Sequence, residues 1–118
     1  RIDGAAEPAG TTLTGVAGSP GTVTARTRVI ADLADADDLQ PGEILVCTTT
    51  DPSWVPLFMI ASAVICEIGA PGSHAVIVSR ELGVPCVVSV RGAGHKLPSG
   101  TLVELDGSAG TVRVVETA

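Results

Sequence analysis

Three short apolar runs constrain what this chain can fold into more than any other feature. Ile44-Leu45-Val46-Cys47, inside the strand expected over residues 43–49, is apolar without alternation. A strand of that kind is covered on both faces. Residues 62–66 and 84–90 read as two further apolar strands. Burying strands of this character calls for layers on either side. Trp54 and Phe58 are the only aromatic residues, so Val, Ile, Leu and Ala must build the core.

The clearest helix runs over residues 73–82. Ser73 suits the N-cap, Gly83 stands where a left-handed C′ residue belongs, and Pro85 prevents continuation. Asp51-Pro52 forms a second helix start, followed by Trp54, Leu57, Phe58 and Ala61 on one face. Strands are expected over residues 13–17, 22–31, 102–105 and 111–115, the last two joined by the turn Asp106-Gly107-Ser108-Ala109-Gly110. Residues 92–100 read as turn-rich loop. The sum is an α/β or α+β domain of three layers. Residues 1–12 lack an apolar period and read as a linker or loose terminus, which leaves 13–118 as the domain. The chain starts at Arg1 and its single methionine is Met59, so a segment of a longer polypeptide is expected.

Seven basic residues against thirteen acidic ones give a net charge of −6, which argues against a nucleic-acid surface. The charge-free stretch Pro52–Cys66 is shorter than the roughly 20 residues that span a bilayer, and with Asp3 and Glu7 at the start no signal peptide is expected. Cys47, Cys66 and Cys86 lie in apolar runs without a CxxC pair, so buried reduced thiols and a cytoplasmic setting are expected. The acidic run Asp32, Asp35, Asp37 and Asp38 lacks the glycine and closing glutamate of a calcium loop and reads as a solvated turn.

Chemistry is concentrated at Gly69-Ala70-Pro71-Gly72-Ser73-His74-Ala75. A helix N-terminus presents unpaired N–H groups and a partial positive charge, which together favour an anion such as phosphate. Gly72 removes side-chain bulk from the approach. The macrodipole opposes an imidazolium at His74, and a neutral ring keeps a lone pair that can attack phosphorus. His74 as a plain polar residue at a helix end is the other reading. A Ser73 hydrolase lacks the Gly-x-Ser-x-Gly elbow, and no Gly-Lys-Ser/Thr completes a Walker A loop. A Cys66–His74 thiol couple places its sulfur in an apolar run. His95, beside Lys96, reads as a solvated loop residue, and Asp51 as a helix cap rather than a catalytic acid.

The run Gly72-Ser73-His74-Ala75-Val76-Ile77-Val78-Ser79-Arg80-Glu81-Leu82-Gly83-Val84-Pro85 resembles the phosphohistidine signature of the mobile domain in phosphoenolpyruvate-utilising enzymes. Gly42-Glu43-Ile44-Leu45-Val46, Thr50-Asp51-Pro52-Ser53-Trp54-Val55-Pro56-Leu57-Phe58 and Asp106-Gly107-Ser108-Ala109-Gly110-Thr111-Val112 extend the likeness. The second of these looks most like phosphoenolpyruvate synthase and rifampin phosphotransferase. The resemblance implies a swivelling β/β/α domain whose His74 takes a phosphoryl group, on Nε2, at one site and delivers it at another. It implies supporting roles for Gly72, Ser73 and Arg80, and no metal or cofactor bound by the domain itself. ATP with Mg²⁺ and phosphoenolpyruvate or another acceptor would sit on partner domains, in the same chain or separate. Ala70, Ser79 and Ser89 depart from the Gly, Ala and Gly common in the family. Ala70 and Ser89 motivate the alternative of a docking module with a vestigial histidine.

Overall fold

The computed structural model describes residues 6–118. In chain order its elements are β1 (Thr12–Thr14), β2 (Val16–Ser19), β3 (Thr22–Val29), β4 (Ile44–Cys47), α1 (Val55–Ile60), β5 (Ala63–Cys66), α2 (His74–Leu82), β6 (Cys86–Val88), α3 (Ala93–Lys96), β7 (Leu102–Asp106) and β8 (Thr111–Glu116). The strand order is β1-β8-β7-β3-β4-β5-β6-β2. β3, β4, β5 and β6 are parallel, and β2 joins β6 antiparallel. β1, β8, β7 and β3 form an antiparallel set. β3 serves both halves: residues 22–26 pair with β7 and residues 27–29 with β4.

The two halves stack, and the alternation of side chains along a strand divides the core in two. Ile44, Val46, Ala63, Ile65 and Val87 pack with Val103, Leu105, Val112 and Val114 of the antiparallel layer. Leu45, Cys47, Val64, Cys66, Cys86 and Val88 point the other way, onto Trp54, Leu57, Phe58, Ala75 and Val76 of the helical layer. The apolar runs of β4, β5 and β6 are therefore covered on both faces, and the order of layers is β/β/α.

Several boundaries differ from the sequence reading. The strand expected over 13–17 is two strands divided at Gly15, and they run to opposite ends of the strand order. A Cβ at Gly15 would collide with the Val88 carbonyl, while its N–H donates to Gly110 O at 2.8 Å. The loop expected over 92–100 contains α3, whose glycines hide its helical character from propensity. The acidic run is an exposed 3-10 turn over Leu33–Asp38, with Asp32 accepting from Ala34 N. Of the expected linker, residues 1–5 lie outside the described residues. Within the remainder, Glu7 N donates to Lys96 O and Gly10 N to Val114 O.

One half-buried ion pair ties β3 to the start of β4. Arg28 donates to both carboxylate oxygens of Glu43 at 3.1 and 3.0 Å, and Gln40 N donates to Glu43 Oε1 at 2.8 Å. Burial pushes the Glu43 carboxyl up, but the donated hydrogen bonds outweigh it and the group lies below its ordinary value of 4.5. The stabilisation is therefore present above that value and fades as acid protonates the group. Glu43→Gln is expected to cost about 1 kcal/mol near neutral pH. Urea titrations at falling pH should show the gap between the two proteins closing.

Candidate functional site

Ser73 sits at the N-cap of α2 with extended backbone, and Gly83 ends the helix at φ 71°. The helix is placed as its sequence signals require, but the cap is not made as expected. The Ser73 side chain makes no capping bond; its Oγ is buried, without a hydrogen-bond partner. It turns inward toward Gly69, where an added Cβ would lie 3.3 Å from it and 2.8 Å from Val88 Cβ. No side chain therefore caps the N–H groups of the first turn.

His74 is the first helical residue, and its ring is half-buried between the loop after β4 and α1. Nδ1 lies 2.9 Å from Thr50 Oγ1. The Phe58 ring stands edge-on at a centroid distance of 6.2 Å. Nε2 has no hydrogen-bond partner among the described residues. Thr50 is the site residue that sequence reasoning missed. It stood inside the Thr-Asp-Pro run, but its contact spans 24 positions and has no local signal. Asp51 beside it caps the 3-10 turn Pro52–Trp54, accepting from Ser53 N at 2.9 Å. The Ser53 hydroxyl and N–H hold its carboxyl below the ordinary value, with a smaller contribution from the nearby His74.

The other candidates separate around this ring. Gly72 is exposed, with open space where a Cβ would be, so its approach is unobstructed. Arg80 is not brought to the site. It lies six residues along α2, about 9 Å of helix rise away, and its Nε donates to Gly18 O at 2.7 Å. That bond fastens the last turn of α2 to β2, because the helical period turns position 80 toward that strand. His95 is exposed on α3, remote in sequence from the ring. The three cysteines are buried and free. Hydrogen bonding to Cys47 and burial push the Cys66 thiol far up, so it is held as a neutral thiol and not as a thiolate paired with His74.

The departures from the family pattern are structurally distinct. Ala70 is exposed and outside the left-handed region, and its carbonyl accepts from Ser73 N at 2.9 Å, so its methyl strains nothing. Ser89 does carry strain: φ 59° is a left-handed backbone that favours glycine. The buried Ser79 hydroxyl is near enough to Cys86 to favour its thiolate, yet makes no hydrogen bond to the neutral thiol, which burial pushes up to about 12. Ser79→Ala is expected to leave the fold intact and raise stability by about 1 kcal/mol, since an unpaired buried hydroxyl is lost. Chemical denaturation of the two proteins checks this.

Residues 39–110 match the model of the family described as "PEP-utilising enzyme, mobile domain". The chain belongs to that family. Among curated relatives of this mobile domain, the prodigiosin synthesizing transferase PigC of Serratia marcescens is 49% identical over 91% of the chain. The phosphoenolpyruvate synthase of Pyrococcus furiosus is 44% identical over 90%, and the rifampicin phosphotransferase of Streptomyces sviceus 41% identical over 87%. The chain spans only 12–13% of the length of these relatives. The solution structure of Enzyme I is similar with a TM-score of 0.56 and 26% identity, covering 68% of this chain and 33% of that one. Among the described residues, no helix of the mobile domain is long and apolar enough to cross a membrane, and no group of three or more His, Cys, Asp or Glu could hold a metal ion.

Proposed function

We propose that this mobile domain is a phosphoryl carrier: His74 Nε2 accepts a phosphoryl group at one active site and delivers it at a second. The observation that carries the reading is the Thr50 contact at Nδ1, which commits one ring nitrogen and leaves Nε2 without a hydrogen-bond partner among the described residues. In the reactive tautomer Nδ1–H donates to Thr50 Oγ1, and Nε2 holds the lone pair. Nε2 attacks phosphorus in line, the N–P bond forms, and the P–O bond to the donor breaks. The product brings about two negative charges, and the uncapped N–H groups and helix field stabilise it. Gly72 and Ser73 contribute backbone and access, and Arg80 holds the helix in place from its far end.

Phosphoryl donor and acceptor would be bound elsewhere: ATP with Mg²⁺ on a nucleotide-binding domain, and phosphoenolpyruvate or another acceptor on a second. These partners would be in the same polypeptide or separate chains, in the cytoplasm. Relatives with transferase, synthase and phosphotransferase names, all much longer than this chain, support that division of labour. Thr50→Val is expected to slow phosphorylation about tenfold through loss of one orienting hydrogen bond, without blocking it.

The direct test uses a small chemical donor, phosphoramidate, on the purified chain. One phosphoryl group is expected, labile in acid and stable in alkali, on His74 and bonded through Nε2 by proton–phosphorus NMR. Phosphate mapped to Ser73 or His95, or none on a folded chain, would overturn the reading and favour the docking module with a vestigial histidine.

A further inference from the structure

Cys47 and Cys66 face each other across β4 and β5, in register on adjacent parallel strands. Both side chains point to the helical layer, and their sulfurs are 3.6 Å apart. They are 2% and 0% exposed. Cys47 also forms part of the wall of a cavity of about 170 Å³ at the carboxyl ends of β3 and β4, bordered by Val29, Ile30, Thr48, Glu67 and His95. We propose that this pair is a modification site: a dithiol that closes to an intramolecular disulfide when a small peroxide reaches Cys47 through the cavity.

The geometry is close to what the bond needs. Neighbouring strands lie about 4.8 Å apart, inside the Cα separation of about 4.4–6.8 Å that disulfides span. The sulfurs must approach from 3.6 Å to about 2.05 Å, a movement within reach of side-chain rotation and small strand shifts. Cys86 is differently placed: its register partner on β5 is Val64, and no sulfur contact joins it to Cys47. The order of steps follows from access. The Cys47 sulfur attacks a peroxide oxygen, the O–O bond breaks, and the thiol proton leaves with the departing oxygen as water, giving a sulfenic acid. The Cys66 sulfur then attacks the Cys47 sulfur, the S–O bond breaks, and hydroxide leaves as water with the Cys66 proton. The sulfur pair loses two electrons and hydrogen peroxide gains them. Cys66 shares its cluster with Ala75 and Val76, so the bond forms beneath the first turn of α2. None of this depends on the phosphoryl-carrier reading.

The test treats the reduced, folded chain with hydrogen peroxide, removes the excess, and alkylates free thiols in denaturant. The untreated chain should take three labels, one for each free cysteine. The treated chain should take one label, on Cys86, and yield a linked Cys47–Cys66 peptide that a thiol reductant releases. Cys86→Ala should still form the bond, and Cys66→Ala should leave a Cys47 sulfenic acid that dimedone traps. Retention of all three labels, a bond through Cys86, a bond between chains, or closure seen only in denaturant would each overturn the proposal. The wild-type peptide map decides by itself if a variant fails to fold.

Discussion

His74→Ala is expected to lower phosphorylation of the chain by a factor on the order of 10⁴ or more, because no nucleophile remains where the phosphoryl group is received. The effect should be separable from stability. The ring is half-buried, and its one hydrogen bond and one edge-on contact are worth about 1 kcal/mol together. The variant should therefore fold, with unchanged far-ultraviolet circular dichroism, and accept nothing. His95→Ala is the matched control: the same residue type, exposed on α3, with labelling expected to stay at the wild-type level. Acid-labile phosphate persisting on folded His74→Ala protein would sink the assignment.

Gly107→Ala is expected to destabilise the fold by about 3 kcal/mol or more, at the upper end for overpacking. Gly107 lies in the turn between β7 and β8 and is fully enclosed. A Cβ there would run into the Ser19 carbonyl oxygen, and would stand 3.1 Å from Ser19 C and 3.2 Å from Cys86 N. These are backbone atoms of β2 and β6, and a side-chain rotation cannot relieve the clash. The turn is itself anchored by Gly107 N donating to Gly21 O at 2.8 Å. Gly72→Ala, with open space around the added methyl, should change stability by less than about 0.5 kcal/mol. Urea midpoints for the two variants provide the comparison, and similar midpoints would remove the steric account.

The elements differ in how far they could be read in advance, and for physical reasons. α2 was legible because its boundaries are local: a cap residue before it, Gly83 in the left-handed conformation after it, and Pro85 beyond. The apolar face of Trp54, Leu57, Phe58 and Ala61 is buried throughout, since helical period and burial agree there. α3 was not legible, because Gly92 and Gly94 lower its propensity while buried Ala93 and Leu97 hold it through tertiary packing. The break at Gly15 was missed for a related reason: the obstacle is the Val88 carbonyl, far away in the chain. Within the site, His74 and Gly72 were marked by position at a helix start. Thr50 was not, because its bond to the ring exists only once the loop after β4 meets the start of α2. Ser73 was marked as a cap, but its hydroxyl points toward Gly69 instead.

The order of residues alone determined the layered α/β plan and a histidine at the mouth of a helix, because apolar period, capping and turn chemistry act over a few neighbouring positions. Tertiary structure decided which ring nitrogen is held, that Arg80 braces β2, and that Cys47 and Cys66 meet. Those outcomes depend on strand register and on how the helices lie across the sheet, which are set by packing the whole core at once.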